Sequence, residues 1–378
     1  MSRTGVIAYV SDLPLKRSGG GSYAVNWNAY TQLAKRFDVR YAGPIIPRPD
    51  LIDTAISKVQ RRVLHKRGRF TYFSPDTLDR NAQMADAHIP AGADAVVFRS
   101  AARWSRYRPE VPYFVYLDAV FHTFFHNTFS LSDFVLSDLE RIWKEEAEFL
   151  EGASAVFFES QWGLDRAREA YGLVGSHYFS PGRGGVIEPP PADEWIHGTH
   201  KLLSVSMNFR QKGGDVVMAA YTQLKPLIPS LSWSIVGAPP EVPVRTLEGV
   251  TCEGILDPDV PSDLRRFREL LANAFLLIHP TREDTSPLVI TEAAYFGCPT
   301  VSMNQFAIPE LVVSGTTGTL LDPPPASEQV ATAIRELVEN KRAYEDMRRA
   351  TRANALEQFT WEPIGSFICD VIERRIAS

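Results

Sequence analysis

Short apolar segments that alternate with amphipathic helical segments, in two separate halves of the chain, are the feature that most restricts the fold. In the first half, residues 5–10 (GVIAYV) have the length and β-branched content of a buried parallel strand. Further runs of this kind lie at 94–98, 113–117 and 155–158. Because parallel strands need helical crossovers between them, this alternation predicts a doubly wound α/β domain.

The pattern stops in a segment rich in proline and glycine and then starts again. Residues 181–193 contain PGRGG and PPP, a composition typical of a link between domains. Apolar runs resume at 201–205, 232–236, 274–278 and 299–302, with helical patterns between them. A chain of 378 residues also has the length of two ordinary domains. We therefore predict two α/β domains.

Charge, cysteine content and hydropathy exclude several classes of protein. Forty Lys and Arg residues against 45 Asp and Glu residues give a net charge of −5, so a surface devoted to nucleic acid is not expected. The three cysteines lie far apart without the paired spacing of a zinc site, which favours a reducing compartment. No apolar run has the length of a membrane span, and the first residues do not resemble a signal peptide. We predict a cytoplasmic protein.

Three consecutive glycines, Gly19, Gly20 and Gly21, separate the first predicted strand from the first predicted helix. A loop without side chains lets backbone N–H groups approach an anion at the start of a helix. The spacing matches neither of the common phosphate-binding patterns, so a plain flexible turn is the alternative interpretation.

Two basic residues follow the first predicted strand of the second half. Lys212 lies in the sequence KGGD, and Arg210 stands two residues before it. In open α/β sheets ligands bind at this position, beyond the carboxyl end of a strand. Both side chains would there neutralise a diphosphate; an ordinary solvated pair of cations is the alternative.

Residues 282–292 (REDTSPLVITE) follow the buried run 274–278 and are the most informative segment of the chain. Pro287 stands where a helix could begin, which puts Asp284 in the loop and Glu292, eight residues later, in the helix. The first N–H groups of that helix would point at a phosphate while the carboxylates hold sugar hydroxyls, as a nucleotide sugar requires. Alternatively, Asp284 caps the helix and Glu292 is exposed.

The same segment carries a family resemblance. Asp284 and Glu292 resemble the E-x7-E signature of the retaining GT-B glycosyltransferases of glycosyltransferase family 4, with aspartate in place of the first glutamate. The first half matches at the glycine loop and at residues 153–160 (ASAVFFES), which lead to Trp162. Matches in the second half are Val236-Gly237, Gly254, Ile308-Pro-Glu310, Thr317-Gly318 and residues 359–362 (FTWE).

The resemblance implies a GT-B fold, in which two Rossmann-like, doubly wound α/β domains face a central cleft. Residues 1–185 would form the acceptor-side domain, and residues 186–355 the domain that binds the nucleotide-sugar donor. Residues 356–378 would form a helix that crosses back and packs on the N-terminal domain.

Roles for individual residues also follow from the resemblance. Glu292 would hold the ribose hydroxyls of the donor, Asp284 the hydroxyls of the transferred sugar, and Lys212 the diphosphate. The family commonly has an arginine where Met207 stands, so either Arg210 substitutes for it or that contact is missing.

The resemblance also implies roles for residues that occupy positions known from the family. Asp118 stands where many relatives have a histidine beside the reacting sugar. The glycine loop would approach the donor phosphates from the first domain. The implied donor-binding residues are Gly19, Gly20, Gly21, Gly237, Gly254, Ile255, Ser286, Leu288 and Val289.

The implied activity is retaining transfer of a hexose from a UDP-, GDP- or ADP-sugar to a glycan or lipid-linked acceptor, as in polysaccharide or glycolipid biosynthesis. Lys212, Arg210 and helix N–H groups would stabilise the leaving diphosphate, so no metal or other cofactor is expected. The triplet Asp257-Pro-Asp259, which in another fold would suggest manganese, is attributed to chance. Two alternatives stay open: a GT-B nucleotide-sugar epimerase, and a non-catalytic module that binds nucleotide sugar or acts as a scaffold.

Two patterns in the first half have more than one interpretation. Asp118, His122 and His126 would share one face of a helix, as metal ligands do, but the phenylalanines around them favour core or an acceptor-facing lining. Between residues 51 and 70 an apolar stripe runs beside basic residues, which is typical of a helix on anionic lipid at the inner face of the plasma membrane; a helix that covers the domain is the alternative. The membrane or acceptor candidates are Lys58, Arg61, Arg62, Lys66, Arg67 and His122.

Overall fold

The chain folds into two compact units, each built on its own sheet. The structure, a computed structural model, describes residues 5–18, 20–46, 51–63, 67–191, 200–240 and 242–377. The described residues within Met1–Lys16, Asn26–Arg183 and Glu362–Ser378 form the N-terminal unit. Those within Arg17–Val25 and Gly184–Trp361 form the C-terminal unit.

The sheet of the N-terminal unit is parallel throughout its described strands. Its strands, β1 to β6, are Val6–Val10, Asp38–Ala42, Ala95–Arg99, Tyr113–Leu117, Ala155–Phe158 and Tyr178–Phe179, and their order in the sheet is β2-β1-β3-β4-β5-β6. All five residues of β3 and of β4 are buried, as expected for central parallel strands that are covered on both faces. The helices of this part of the chain, α1 to α6, are Gly21–Leu33, Leu51–Arg62, Pro75–His88, Phe121–Thr128, Leu136–Glu151 and Gln161–Tyr171.

The C-terminal unit repeats this architecture. Its described strands, β7 to β12, are His200–Ser206, Leu231–Gly237, Val250–Gly254, Leu276–His279, Thr300–Met303 and Gly318–Leu321, in the order β12-β11-β10-β7-β8-β9. Leu202 and Leu203 belong to different apolar clusters, because successive side chains of a strand point to opposite faces. The helices that follow, α7 to α14, are Gly214–Leu224, Val242–Arg245, Pro261–Asn273, Leu288–Tyr295, Ile308–Leu311, Ser327–Glu339, Lys341–Gln358 and Trp361–Ile376. The predicted α/β class with two doubly wound sheets is confirmed.

Helix α14 packs on the N-terminal unit, although it comes last in the chain. Arg36, just after α1, forms an ion pair with Asp370 and donates a 2.6 Å hydrogen bond to Ser366 Oγ. Lys35 pairs with Glu362 in the first turn of the helix. The final helix therefore completes the unit that the first strand begins.

In each sheet the strand order reverses beside the first strand of the unit. The chain passes from β1 to β2 on one side and later to β3 on the other; in the second sheet it passes from β7 to β8 and later to β10. In open α/β sheets the crevice at such a switch point, beyond the carboxyl ends of the strands, is where ligands bind. The topology therefore predicts ligand-binding sites at the loops after β1, β3, β7 and β10.

A buried carboxylate lies beneath the start of α4 in the N-terminal unit. Glu146 of α5 accepts hydrogen bonds from the Phe121 N–H at 2.8 Å and from the Tyr171 hydroxyl at 2.5 Å. Burial raises the pKa of Glu146 to about 7, although these hydrogen bonds act in the opposite direction. The native state thus keeps a proton that the unfolded chain releases near pH 4.5.

This difference predicts how stability depends on pH. A raised native pKa contributes stability that is complete below pH 4.5 and is lost as the pH rises through about 7. From about pH 5 to about pH 8 the free energy of unfolding should fall by about 2 to 3 kcal/mol on account of this group. Glu146→Gln should remove that part of the loss, which urea unfolding of both proteins at the two pH values measures. Equal pH dependence in the two proteins would contradict the assignment.

Candidate functional site

The loops at the switch point of the C-terminal unit are joined by an ion pair. Lys212 lies between β7 and α7, Asp284 lies between β10 and α10, and the Lys212 ammonium contacts Asp284 Oδ1. The other carboxylate oxygen, Oδ2, accepts a 2.8 Å hydrogen bond from Nε2 of His279, the last residue of β10. Lys212 and Asp284, which the sequence predicted on two different loops, are therefore direct partners. His279 is the third member of the group.

The environment of Asp284 fixes its charge. Burial acts to raise the pKa of this carboxyl group, but the hydrogen bond from His279 and the charges of His279 and Lys212 outweigh it and lower the pKa to about 2. The side chain nevertheless keeps about a quarter of its surface exposed, at 26%. Asp284 is thus an ionised hydrogen-bond acceptor that solvent can reach at every ordinary pH.

Sequence reasoning missed His279. Its ring is buried, and its backbone carbonyl accepts a 2.7 Å hydrogen bond from Ser302 Oγ of the neighbouring strand β11, which fixes the residue in the sheet. The signal in the sequence is a polar residue at the end of an apolar run, followed directly by Pro280. A buried polar group needs a partner, and Asp284, five residues farther along the chain, supplies it.

Close packing of the two loops sets the position of Lys212. Gly213 has φ +77° and begins the first turn of α7, and a Cβ atom there would collide with the carbonyl oxygen of Pro280. Only glycine satisfies both the backbone conformation and the lack of space. The loop after β7 is therefore held directly against the loop after β10.

A second ion pair joins the loop after β10 to the first turn of α7. The Arg282 guanidinium contacts both oxygens of Asp215, at 2.8 and 3.0 Å, and also donates to the carbonyl oxygen of Arg210. The side chains of Arg210 and Met207 are exposed. Arg282 thus supports the backbone at Arg210, and the role of the Arg210 side chain toward a diphosphate stays a prediction.

Helix α10 begins at Leu288, one residue after Pro287, which is the last residue outside the helix. Glu292 lies inside the helix with only 5% of its surface exposed, and its Oε1 accepts a 3.0 Å hydrogen bond from the Val186 N–H. The interpretation of Glu292 as an exposed residue is therefore wrong. Of the other residues named on this segment, Val289 is buried and Ser286 is half-buried.

The start of the glycine loop and of α1 groups with the C-terminal unit. Gly20 has φ +115° and is exposed, and a Cβ atom on Gly21 would lie 2.9 Å from Leu288 Cδ1. The first residue of α1 therefore lies against the first residue of α10. Gly19 lies outside the described residues.

The carboxylate of Asp259 holds the segment before that loop. It accepts hydrogen bonds from the Ser18 N–H at 3.0 Å and from Arg17 Nε at 3.3 Å. Asp257 Oδ1 accepts the Asp259 N–H at 2.9 Å. In the described part of the chain, no group of three or more His, Cys, Asp and Glu side chains is arranged to hold a metal ion.

Three predicted donor-binding residues lie at the ends of strands farther along the same sheet. Gly237 ends β8, the neighbour of β7, and Gly254 ends β9, the next strand outward. Ile255 follows with an exposed side chain. All three are at the carboxyl edge on which Lys212 lies.

The prediction that Asp118, His122 and His126 share one helix face is wrong. Asp118 follows β4 with an exposed side chain, and α4 begins only at Phe121, so a loop separates Asp118 from the histidines. The two imidazole rings lie against each other, with centroids 4.2 Å apart. Asp118 Oδ1 accepts a hydrogen bond from the N–H of Ala119, so this carboxylate bonds to the backbone of its own loop.

The basic amphipathic segment is shorter than predicted, because α2 ends at Arg62. Its small polar side chains face the protein: Ser57 Oγ donates a 2.9 Å hydrogen bond to the Arg69 carbonyl, and Thr54 contacts Thr71. The apolar stripe consequently faces solvent, so a helix that buries this stripe on the domain is a wrong interpretation. The stripe residues Leu51, Ile52, Ile56, Val59 and Val63 are 48% to 84% exposed.

The cationic candidates on this segment are only partly described. Lys58 and Arg62 of α2 and Arg67 beyond it are exposed. Lys66 and the side chain of Arg61 lie outside the described residues. Within the described ranges no helix combines the length and the hydropathy needed to span a membrane.

Comparison with known proteins identifies the domain that carries the switch-point residues. Residues 191–354 match the family model described as Glycosyl transferases group 1. The C-terminal part of the chain is therefore similar to glycosyl transferases group 1 domains, and Lys212, Asp284 and Glu292 all lie within the matched residues.

Solved structures define the fold of the whole chain. Sucrose-phosphate synthase from Thermosynechococcus elongatus superposes with a TM-score of 0.72 at 17% identity, over 99% of this chain and 100% of that one. The Anabaena protein HepE, solved with UDP and glucose, gives a TM-score of 0.63 at 17% identity over 98% and 100% of the two chains. The chain has the GT-B fold.

A curated relative is similar over part of the chain. The GDP-mannose-dependent alpha-(1-6)-phosphatidylinositol monomannoside mannosyltransferase of Mycolicibacterium smegmatis is 26% identical over 185 residues. The matched region covers 46% of this chain and 48% of that protein, so the chain spans about half the length of the curated relative that it matches.

Proposed function

We propose that the protein is a retaining glycosyltransferase that moves a hexose from a nucleotide-diphosphate sugar to a glycan or lipid-linked acceptor. The observation that carries the proposal is the group formed by Lys212, Asp284 and His279 at the switch point of a glycosyl transferases group 1 domain. A diphosphate needs a cation and a sugar needs hydrogen-bond acceptors, and this group offers both.

Donor binding would exchange one partner of Lys212 for another. In the structure, the ammonium is neutralised by Asp284 Oδ1. The diphosphate competes for that ammonium, and Oδ1 becomes available to accept a hydroxyl of the transferred sugar. Oδ2 stays bound to His279, which keeps the carboxylate in place during the exchange. The shorter side chain of aspartate is thus compensated by a fixed orientation.

Helix α10 would hold the rest of the donor. The N–H groups of Leu288 and Val289 lie in its first turn, where an α-helix has no internal acceptors for them and attracts anions. Glu292, one turn farther on, would accept the ribose hydroxyls. Backbone dipoles and Lys212 then stabilise the leaving diphosphate without a divalent metal.

The reaction would retain the anomeric configuration. The bond from C1 of the sugar to the diphosphate oxygen breaks, and the acceptor oxygen bonds to C1 on the same face. The proton of the acceptor hydroxyl passes to the leaving phosphate oxygen, so no general base from the protein is required. Asp118, an exposed carboxylate beyond β4, would bind beside the reacting sugar.

Turnover of nucleotide sugars in the presence of EDTA tests this function. The names of the relatives suggest GDP-mannose and UDP-glucose as the first donors to test, and ADP-glucose is the third. NMR of the product determines its anomeric configuration. We expect release of the nucleoside diphosphate from at least one donor. Conversion of a donor into its epimer would identify an epimerase, and binding without turnover a non-catalytic module; either result would overturn the proposal.

We propose in addition that α2 brings the protein to an anionic membrane, where a lipid-linked acceptor would be found. The exposed stripe of α2 supplies the apolar contact, and the exposed cations Lys58 and Arg62 lie on the same helix. Each cation near such a surface contributes about 1 kcal/mol. Replacing both with glutamine should therefore weaken binding to phosphatidylglycerol vesicles by about thirtyfold.

Co-sedimentation with vesicles measures this effect. Val174, which is 81% exposed in the same unit, provides a matched control: Val174→Ser should sediment like the wild type, while Ile56→Ser should not. Equal binding to neutral phosphatidylcholine vesicles, or none to either kind, would contradict a role for α2 at a membrane.

A further inference from the structure

The N-terminal unit has an ion pair of its own at its switch point. Strands β1 and β3 run side by side with Val10 opposite Phe98, so the loops that follow them begin next to each other. Asp12 in the first loop and Arg103 in the second are joined by a 3.0 Å contact between Oδ2 and Nε. Both side chains remain partly exposed, at 16% for Asp12 and 30% for Arg103. A ligand can therefore reach both members of the pair.

Hydrogen bonds hold the first loop rigidly. The Leu13 carbonyl accepts a 3.1 Å hydrogen bond from Asn26 Nδ2 and another from the Tyr41 hydroxyl. The Leu13 N–H donates to Ser11 Oγ at 3.1 Å. The backbone on both sides of Asp12 is thus fixed before any ligand arrives, which lowers the entropic cost of binding.

The second loop contains a strained residue. Ser100 has φ +69°, a left-handed conformation that is rare for a residue other than glycine. Its N–H donates to the Tyr116 carbonyl at 3.0 Å, and the Trp104 indole donates to the Arg99 carbonyl at 3.1 Å, which together hold the strained turn. Strain of this kind costs about 1 to 3 kcal/mol and is concentrated at ligand sites.

The hydroxyl of Ser100 adds a second, independent sign of a site. Its oxygen is buried and makes no hydrogen bond within the described residues. A serine hydroxyl both donates and accepts, and a buried one without a partner is a rare feature that indicates a polar group from outside the described residues.

The chemistry of the pair selects the ligand. Asp12 only accepts hydrogen bonds and Arg103 only donates them, so two adjacent groups that each donate and accept fit best. The vicinal hydroxyls of a pyranose have this property, whereas a phosphate would be repelled by Asp12. From this arrangement we infer that Asp12 and Arg103, with Ser100 from the same loop as Arg103, bind a vicinal diol of the acceptor sugar; this inference rests on the proposed glycosyltransferase function.

The C-terminal unit has a comparable charged pair at its own switch point. There, too, an acid and a base join the loops that flank the switch point, with Lys212 after β7 and Asp284 after β10. The acid and the base are exchanged between the loops: Asp12 follows β1 and Arg103 follows β3. Each unit therefore has a charged pair at its switch point, the position at which open α/β sheets bind ligands.

Direct binding of simple glycosides to the full chain, without donor, tests the inference. The probes are the methyl α-pyranosides of mannose, glucose and galactose, titrated by isothermal calorimetry and ligand-observed NMR. We expect saturable binding of at least one of them, and binding at least about tenfold weaker in Asp12→Asn and in Arg103→Gln. Arg40→Gln is the matched control, because Arg40 pairs with Asp38 on the same sheet at 2.7 Å, and it should bind like the wild type.

A variant at Ser100 separates a binding role from a structural one. Ser100→Gly removes the hydroxyl but suits the left-handed backbone, so its melting temperature should be equal to or above that of the wild type while its glycoside affinity falls. Unchanged affinity in all three site variants, or no binding of any glycoside to the wild type, would overturn the inference.

The outcome is independent of donor chemistry. Stabilisation by GDP or UDP in a thermal-shift experiment reports the site in the C-terminal unit and should not change in Asp12→Asn. If donors are not turned over but glycosides bind and respond to the variants, the proposed activity fails and the sugar site stands. If donors are turned over but glycosides do not respond, the sugar site alone fails.

Discussion

Replacing Lys212 with methionine should lower kcat/KM for the donor by about a hundredfold to a thousandfold. The reason is electrostatic: a preorganised cation at a leaving diphosphate contributes more in the transition state, where charge develops, than in the ground state. Steady-state kinetics with the best donor measures the loss. Lys212→Arg keeps the charge and should recover part of the activity, whereas equal losses in both variants would argue against a purely electrostatic role.

The same variant has a second readout that does not depend on turnover. The Lys212 charge helps to hold the pKa of Asp284 at about 2, so its removal should raise that pKa toward the ordinary value of 3.8. A depressed pKa contributes stability that is present above the unfolded value and is lost as the pH falls through the native one. In Lys212→Met this contribution should be smaller and its loss should be complete at a higher pH, which acid unfolding and carboxyl NMR titration both detect. No change in the pKa would show that His279 alone controls Asp284.

Replacing Glu292 should separate donor binding from stability. Glu292→Gln keeps an oxygen that accepts the Val186 N–H but removes the charge, so we expect a loss of about tenfold to a hundredfold in kcat/KM and little change in melting temperature. Glu292→Ala also leaves that N–H without its partner in a buried environment, which costs about 1 to 3 kcal/mol of stability.

Steady-state kinetics gives the activity of the two Glu292 variants, and thermal unfolding gives their stability. The alanine variant should be both inactive and less stable, and the glutamine variant only less active. If the glutamine variant kept full activity, Glu292 would serve the fold alone and the assignment to the ribose would be wrong.

The sequence predicts the centre of each sheet better than its edges. The eight runs identified as strands correspond to β1, β3, β4 and β5 and to β7, β8, β10 and β11, all of which lie inside their sheets in the described structure. The strands that were missed are β2, β6, β9 and β12, the outermost ones. Central parallel strands are buried on both faces and appear as continuous apolar runs, whereas β9 (VTCEG) is half solvated and carries no such run.

The site could be predicted only in part, for a related reason. Local sequence placed Lys212 and Asp284 beyond strand ends, since both follow apolar runs. Their contact depends on β7 and β10 being neighbours, although 72 residues separate the two side chains along the chain. Which strands are adjacent is a property of the topology, and no spacing along the sequence reports it.

Helix α2 shows the opposite limit of sequence reasoning. Its amphipathic pattern is strong, and such a pattern predicts a buried apolar face. Here Thr54 and Ser57 bond to residues 69–71 instead, so the apolar face points away from the unit. A periodic pattern identifies a face but does not say which side of the helix the protein covers.

The placement of α14 on the N-terminal unit affects how the chain folds during synthesis. A ribosome produces a chain from its N-terminus, yet the ion pair between Arg36 and Asp370 needs a helix that is translated 334 residues after Arg36. The residues of the C-terminal unit are all translated before that helix is complete. The N-terminal unit is therefore begun before the C-terminal unit and completed after it. A nascent chain that stalls before Glu362 exposes the surface beside α1 to chaperones and proteases.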